Sequence, residues 1–290
     1  MPASIKVIEC PRDAMQGLER SIPTARKVEY VNALLKVGFD TIDFGSFVSP
    51  KAIPQMADTP QVLEQLDLTA GGTKLLAIIA NKRGAEEAAK HAKITYLGFP
   101  LSISDTFQRR NTNSSILEAL NSLEEIKNIC LKADKKLVTY ISMGFGNPYG
   151  DPYEVELVTQ FAEILMTLGS DVISLADTIG VAESSAIQAL FASVSRQFPN
   201  AEIGVHLHST PAASRSKIDA AYRGGCRRFD GALRGFGGCP MAVDELVGNI
   251  ATEHIVAFFD DEGVSTGLDE KKFLEALSLA DKVFSTEHGS

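Results

Sequence analysis

Short apolar runs alternate along the chain with longer segments of helical periodicity. Eight of the apolar runs are five to eight residues long and rich in β-branched side chains, as buried parallel strands are. The predicted strands span residues 5–9, 41–46, 74–79, 94–99, 136–143, 171–177, 202–208 and 227–233. The pattern therefore predicts eight strands that are buried on both faces.

Amphipathic segments separate these strands, and several carry helix end signals. Residues 151–169 open with Asp151 and Pro152 and end on a glycine, and residues 24–38 also end on a glycine. The other predicted helices cover residues 60–68, 84–91, 114–133, 183–198 and 211–225. Strands that alternate with helices indicate a parallel sheet.

Eight strands and about 250 residues are typical of a TIM (β/α)8 barrel. A doubly wound open sheet is the alternative, but "ECPRDAMQG" after the first strand is not the GxGxxG turn of that fold. We predict an α/β chain with one catalytic TIM-barrel domain over residues 1–290. The barrel covers about residues 5–260, and an additional C-terminal helix covers about residues 268–285.

Composition excludes several classes of protein. The net charge of -9 argues against a surface for nucleic acid or anionic membrane. No run approaches the ~20 apolar residues of a membrane span. The N-terminal "MPASIKVIEC" enters a strand almost at once, which predicts no signal or transit peptide. The four cysteines form no CxxC pair, so we expect free thiols and a cytoplasmic protein.

Polar and ionisable residues gather where the predicted strands end, which is the active-site face of a TIM barrel. His206 and His208 are spaced i, i+2, so their imidazoles point to the same side of a strand and can reach one ion. Asp13, at the end of the first strand, would complete a mixed nitrogen and oxygen ligand set. The alternative is a pair of core or rim histidines with satisfied hydrogen bonds.

Other residues at this rim also have two possible interpretations each. Arg12 and Asp13 are either catalytic or a loop ion pair, and Asp177 is either catalytic or a helix cap. Cys239 lies in the glycine-rich loop "GFGGCP" and is either a catalyst or an inert thiol. The segment "FQRRNTNSS" is either an anion-binding loop before a helix or a solvated loop.

Taken together, six segments resemble the 3-hydroxy-3-methylglutaryl-CoA lyases of the DRE-TIM metallolyase superfamily. They are "PRDAMQG", "SFVSPKAIPQM", "FQRRNTN", "ISLADTIG", "HLH" and "GFGGCP", and they follow one another in the family's order. The resemblance covers most of the chain. It implies metal-dependent cleavage of 3-hydroxy-3-methylglutaryl-CoA (HMG-CoA) to acetyl-CoA and acetoacetate, a role in leucine degradation, and an acyl-CoA substrate. It leaves a homodimer open.

The resemblance also implies residue roles. One Mg2+ or Mn2+ ion would be bound by Asp13, His206, His208 and Asn249. Arg12 would stabilise the enolate and Cys239 would protonate it, and Asp43 and Asp177 are the further predicted catalytic residues. The general base is open among Asp13, Asp43, His206 and a metal-bound water. The predicted substrate contacts are Gln16, Ser46, Ser142, Arg109, Arg110 and Asn111.

The chain departs from the family pattern at a few positions. Asp43 replaces a glutamate, Ala14 a glycine, and Ser209 an aspartate. The segment from Cys239 to Asn249 is one residue longer than the resemblance predicts. These departures leave the exact acyl group open, and a close HMG-CoA analogue is an alternative substrate.

Three rival functions share features of this pattern. The condensing isopropylmalate and citramalate synthases share the Arg-Asp pair and the HxH motif, but usually carry a C-terminal regulatory region. Metal-dependent hydrolases of the amidohydrolase type carry their HxH on the first strand. A non-catalytic metal- or acyl-CoA-binding protein would not need Arg12 or Cys239.

Overall fold

The computed structural model describes residues 4–69, 71–238 and 247–284. Eight parallel strands, β1 to β8, hydrogen-bond in sequence order and close into a barrel. The strands are β1 (Lys6–Glu9), β2 (Thr41–Ser46), β3 (Lys74–Ile78), β4 (Ile94–Ser102), β5 (Lys136–Ser142), β6 (Val172–Asp177), β7 (Glu202–Leu207) and β8 (Arg228–Gly231). The predicted TIM barrel is confirmed.

Eleven α-helices cover or extend this barrel within the described residues. They are α1 (Pro11–Gln16), α2 (Thr24–Leu34), α3 (Thr59–Glu64), α4 (Lys82–Ala89), α5 (Asp105–Thr112), α6 (Ile116–Lys132), α7 (Val155–Thr167), α8 (Ser184–Gln197), α9 (Pro211–Arg223), α10 (Thr252–Asp261) and α11 (Glu270–Phe284). Among these helices, none is long and apolar enough to cross a lipid bilayer. The predicted C-terminal helix is α11, and its Phe284 ring contacts Tyr30 of α2 at a centroid distance of 5.9 Å.

The start of α7 differs from the prediction. The helix begins at Val155 rather than at Asp151. Asp151 instead accepts hydrogen bonds from the hydroxyls of Ser104 and Thr106, at the start of α5. Its carboxylate therefore joins two loops of the barrel, a contact that a local capping pattern does not reveal.

The apolar core has two layers. The larger one lies between the strands and the surrounding helices, since it includes helical residues such as Val31 and Leu123. A smaller cluster consists of strand residues only and lies inside the barrel. Its members are Leu76, Ile78, Tyr96, Val138, Tyr140 and Val172. These side chains fill the barrel interior, and two of them, Ile78 and Tyr140, also line the pocket at its mouth.

Glu9, at the end of β1, is a carboxyl group buried between the barrel and α10. It accepts a hydrogen bond from the Leu233 N–H, 2.9 Å away, and one from the Thr252 hydroxyl. Burial raises the pKa of Glu9 to about 8, although these two hydrogen bonds oppose the shift. A pKa raised above the unfolded value means that the native state loses stability as pH rises from about 4.5 to about 8.

We expect Glu9→Gln to remove this part of the pH dependence. The amide can keep both contacts, by accepting from Leu233 and donating to Thr252, without a charge to bury. At pH 9 the variant should be more stable than the wild type by on the order of 4 kcal/mol, and below pH 4.5 the two should be equal. Urea unfolding across this pH range measures the free energy of unfolding of both proteins. The same dependence of that free energy on pH in both proteins would contradict the expectation.

Candidate active site

The site begins where β1 ends. Pro11 follows Cys10 directly and starts the six-residue helix α1, with the ring in the first-turn position that proline favours. The next two residues, Arg12 and Asp13, are thereby placed over the carboxyl end of the barrel, where both are buried. The predicted alternative to a catalytic role was an ion pair in a loop or helix-cap arrangement; the structure shows the ion pair, but in the first turn of a helix.

Arg12 is held by two carboxylates. Its Nε and Nη2 donate to Asp43 at the middle of β2, with Nε 3.0 Å from Oδ2. Its Nη1 donates to Asp13 Oδ1 at 2.9 Å. A guanidinium in this bidentate geometry has a fixed plane and direction.

The charges of this group follow from the contacts. Burial alone would lower the pKa of Arg12, but Asp43 and Asp13 outweigh it and raise the pKa. Burial raises the pKa of Asp43 to about 6, against the charge of Arg12. Burial would also raise the pKa of Asp13, but Arg12, His206 and His208 reverse the effect and lower it to about 2. Arg12 and both carboxylates are therefore ionised at neutral pH.

The two histidines reach Asp13 from β7, which is separated from β1 only by β8 in the closed barrel. One ligand atom each from Asp13, His206 and His208 lies within 4.8 Å of the other two. The Nε2 atoms of the two histidines are 3.3 Å apart. Burial and the charge of His206 lower the pKa of His208 to about 4, so His208 is neutral at pH 7 and has a lone pair to donate.

His206 has a second set of contacts below this group. Its Nδ1 is 3.3 Å from Oδ2 of Asp230, a buried residue of β8. The edge of the Tyr140 ring packs against the imidazole at a centroid distance of 5.9 Å. Burial would lower the pKa of His206, but the Asp230 contact and the charge of Asp13 raise it. Asp230 is not among the predicted site residues, although a carboxylate in the apolar strand "RRFDGAL" is a signal for a buried partner.

Asn249 completes the group. It pairs with His208 in an isolated antiparallel bridge, and its Nδ2 donates to Asp13 Oδ2 at 2.6 Å and to the Phe236 carbonyl at 2.9 Å. Its Oδ1 is buried without a hydrogen-bond partner among the described residues. Gly237 packs closely here, because a Cβ on it would lie 2.4 Å from Asn249 Nδ2.

These residues fit a divalent cation. Two imidazole nitrogens face each other beside an ionised carboxylate, and an unsatisfied amide oxygen belongs to a side chain hydrogen-bonded to that carboxylate. Mixed nitrogen and oxygen sets of this kind bind divalent metals. The structure thus brings the four predicted metal ligands together, although their role as ligands stays a prediction.

A pocket opens above this group. Gln16 and Asp13 line one part of its wall, and Gln16 Nε2 donates to Asp13 Oδ1 at 2.9 Å. Ser142, at the end of β5, and Asn111 of α5 also line the pocket. Three of the six predicted substrate contacts are therefore in place around one cavity.

The other three predicted substrate contacts lie outside that lining. Ser46 accepts a hydrogen bond from the Val48 N–H, 3.1 Å away, within its own loop. Arg109 and Arg110 lie in the last turn of α5 rather than in a loop. Arg109 pairs with Asp105 on the surface, and the Arg110 guanidinium lies 4.6 Å from the centre of the Tyr149 ring. The following helix, α6, already has a complete capping box, so its N-terminus is not a free anion site.

Asp177 does not cap the following helix, because α8 begins at Ser184 with Glu183 as its N-cap and the contacts of Asp177 lie in the loop before it. Its two oxygens accept hydrogen bonds from the backbone N–H groups of Val181 and Ala182, both at 3.0 Å. The buried Lys217 of α9 donates to the same carboxylate at 2.8 Å and to the carbonyls of Gly180 and His208. Asp177 thus ties the loop after β6 to α9 and to the backbone beside the histidine pair. Among the described residues, Asp177 is not part of the pocket lining, and its predicted catalytic role stays a prediction.

Lys217→Met is expected to destabilise the fold strongly. The change leaves Asp177 as a buried carboxylate without its cation, a loss that typically costs about 3–5 kcal/mol. Urea denaturation of the variant would measure this cost. A decrease below about 1 kcal/mol would show that the lysine is not needed to balance the buried charge, and Lys127→Met, at an exposed ion pair with Asp171, is the matched control.

Cys239, the predicted acid, lies outside the described residues. The described cysteines, Cys10, Cys130 and Cys226, are buried free thiols, as the sequence predicts.

The HMGL-like family model matches residues 6–280 of the chain. The hydroxymethylglutaryl-CoA lyase YngG of Bacillus subtilis is 34% identical over 266 residues, which cover 92% of this chain and 88% of that protein. An (R)-citramalyl-CoA lyase of Chloroflexus aurantiacus is also 34% identical, with 95% of this chain and 89% of that protein covered. The structure of an HMG-CoA lyase from Acinetobacter baumannii, in complex with coenzyme A and 3-methylmalate, superposes with a TM-score of 0.89 at 30% identity, covering 97% of this chain and 91% of that chain.

Proposed function

The chain belongs to the HMGL-like family, and from this membership we propose that it is a metal-dependent lyase that cleaves HMG-CoA to acetyl-CoA and acetoacetate. The observation that carries the proposal is the convergence of Asp13, His206 and His208 beside Arg12 at the mouth of the barrel. A retro-Claisen cleavage needs two things of a protein at one place. It must make a tertiary hydroxyl acidic, and it must stabilise the thioester enolate that leaves.

Asp13, His206, His208 and Asn249 would hold the ion. Such an ion would supply Lewis-acid chemistry beside these residues and would lower the pKa of the substrate's tertiary hydroxyl. Mg2+ or Mn2+ as the ion, a homodimeric assembly, a cytoplasmic location and a role in leucine degradation stay predictions.

Arg12 would bind the enolate oxygen. A guanidinium has five N–H donors, and its described bonds to Asp43 and Asp13 engage three of them. The remaining donors are available to an oxygen on which negative charge develops, and such fixed donors contribute a few kcal/mol to the barrier. Because the two carboxylates fix the plane of the guanidinium, it need not reorganise during the reaction.

The hydroxyl proton must go to a base beside the ion. Asp43, with a pKa of about 6, is ionised at neutral pH and close enough to that pH to exchange a proton. Its oxygens are, however, turned toward Arg12. Asp13, His206 and a metal-bound water are the other candidates for this base, and Cys239 is the proposed acid that protonates the enolate carbon.

(R)-Citramalyl-CoA is the second candidate substrate, since the lyase that acts on it is as similar to this chain as YngG is. The two substrates undergo the same bond cleavage. They differ by one methylene between the carbinol carbon and the free carboxylate.

The test is an assay of the purified protein with each acyl-CoA, with Mg2+ or Mn2+ and with EDTA. HMG-CoA cleavage yields acetoacetate, and citramalyl-CoA cleavage yields pyruvate, so the co-product identifies the substrate directly. We expect metal-dependent acetoacetate formation. Pyruvate formation alone would replace HMG-CoA with the second candidate, and neither product at saturating metal would refute both.

A further inference from the structure

We propose that Asp230 is a positioning residue, which holds His206 with its ring proton on Nδ1 and its Nε2 lone pair toward the metal ligands. The inference deepens the proposed function and rests on it for the ion. It assigns a task to a residue that does not touch the ion or the substrate.

The strand register places the two residues together. His206 and Asp230 are paired Cα positions on the neighbouring strands β7 and β8. Their side chains therefore point to the same side of the sheet, and Nδ1 of the imidazole reaches Oδ2 of Asp230 at 3.3 Å. The contact follows from the register of the barrel rather than from a chance rotamer.

The His206 imidazole has a carboxylate near each ring nitrogen, Asp13 and Asp230, and the two differ in how many hydrogen bonds they already accept. Asp13, on the Nε2 side, already accepts from Arg12 and Gln16 at Oδ1 and from Asn249 at Oδ2. Asp230 accepts only from His206 at Oδ2 among the described residues, and its Oδ1 is buried without a partner. Because Asp230 has fewer hydrogen-bond donors than Asp13, it favours the His206 ring proton on Nδ1, the nitrogen that faces it.

The neighbours of this pair favour the same arrangement. The Cys10 thiol lies within 4.8 Å of a ligand atom of both residues and is itself buried. The Tyr140 ring meets the imidazole edge-on and restricts its rotation. Arg228, two residues before Asp230 on β8, is buried and supplies a compensating positive charge.

The consequence concerns the ion site. A histidine ligand needs its metal-facing nitrogen unprotonated, and the hydrogen bond at the other nitrogen decides which tautomer is present. With the proton on Nδ1, Nε2 of His206 faces Nε2 of His208 as a second lone pair. With the proton on Nε2, the same ring would present a donor to the cation.

The main variant is Asp230→Asn, with Glu9→Gln as the matched control. Asparagine keeps the shape but is a weaker acceptor, and its NH2 can face Nδ1 and stabilise the wrong tautomer. We expect calorimetric titration of the metal-free protein with Mn2+ to show about 10- to 100-fold weaker binding for D230N. The control changes a buried carboxyl group on β1, which neighbours β8, without touching a proposed ligand, and it should bind Mn2+ as the wild type does. Equal affinity of folded D230N and wild type would overturn the proposal.

A second measurement needs no substitution at Asp230. In the metal-free wild type labelled with 15N-histidine, NMR at alkaline pH reports which nitrogen of each neutral imidazole carries the proton. The His206 signals are assigned by their loss in H206Q. We expect the Nδ1–H form, and a dominant Nε2–H form would overturn the proposal even if D230N does not fold. Neither measurement uses a substrate, so absence of lyase activity would refute the proposed function and leave this inference standing.

Discussion

Arg12→Gln should lower kcat by about 1000-fold or more at saturating metal and substrate. The guanidinium is a charged donor at the mouth of the barrel, and glutamine supplies neither the positive charge nor the fork of donors. Loss of one fixed donor to a developing oxyanion typically costs 10²–10³ in rate, and loss of a whole charge costs more. Steady-state rates of acetoacetate formation measure the effect. Because Arg12 does not belong to the proposed ligand set, the affinity for Mn2+ should change less than kcat does.

Two variants separate the catalytic effect from loss of structure. Arg12→Gln also removes the cation between Asp13 and Asp43, so its melting temperature must be measured alongside its rate. Arg12→Lys keeps the charge but not the bidentate contact, and we expect its kcat to lie between those of Arg12→Gln and the wild type. Asp43→Asn keeps the guanidinium and removes the anion that orients it. If folded Arg12→Gln retained a tenth of the wild-type rate, the enolate role would be wrong.

The barrel was predictable because its signals are local. A buried parallel strand is a short apolar run, and β2 (Thr41–Ser46) has the predicted bounds. The i, i+2 spacing of the histidines also fixes which side of β7 they share, whatever the rest of the fold. Their meeting with Asp13 was inferable only once a closed barrel had been predicted, because closure brings the ends of β1 and β7 to one rim.

What the sequence did not reveal depends on distant partners. Helix α5 (Asp105–Thr112) has a single aromatic residue among polar ones and thus no apolar stripe, so the pattern of "FQRRNT" predicts a loop. The structural role of Asp177 at the end of β6 could not be predicted, because its partner Lys217 lies 40 residues further along the chain, on α9. Asp230 was missed for the same reason, since only the β7–β8 register pairs it with His206.

His208→Ala should weaken the binding of Mn2+ by more than about 100-fold and reduce activity accordingly. The imidazole of His208 is neutral at pH 7, with its Nε2 directed at the shared position, so its removal deletes one of four proposed ligand atoms. Removing a residue that only hydrogen-bonds a metal ligand typically weakens metal affinity 10- to 100-fold, and removing a direct ligand should weaken it at least as much. The change also leaves the backbone bond between the Lys217 ammonium and the His208 carbonyl intact, so the loop should keep its position. Calorimetry of the metal-free variant gives the affinity for Mn2+, and a titration of the reaction rate with Mn2+ should show partial recovery at high concentration.

His254→Ala is the control, because that imidazole bonds Ser214 of α9 rather than the ligand group. Unchanged Mn2+ affinity in folded His208→Ala would remove the histidine pair from the ion site, and with it the reason for placing the chemistry at this rim.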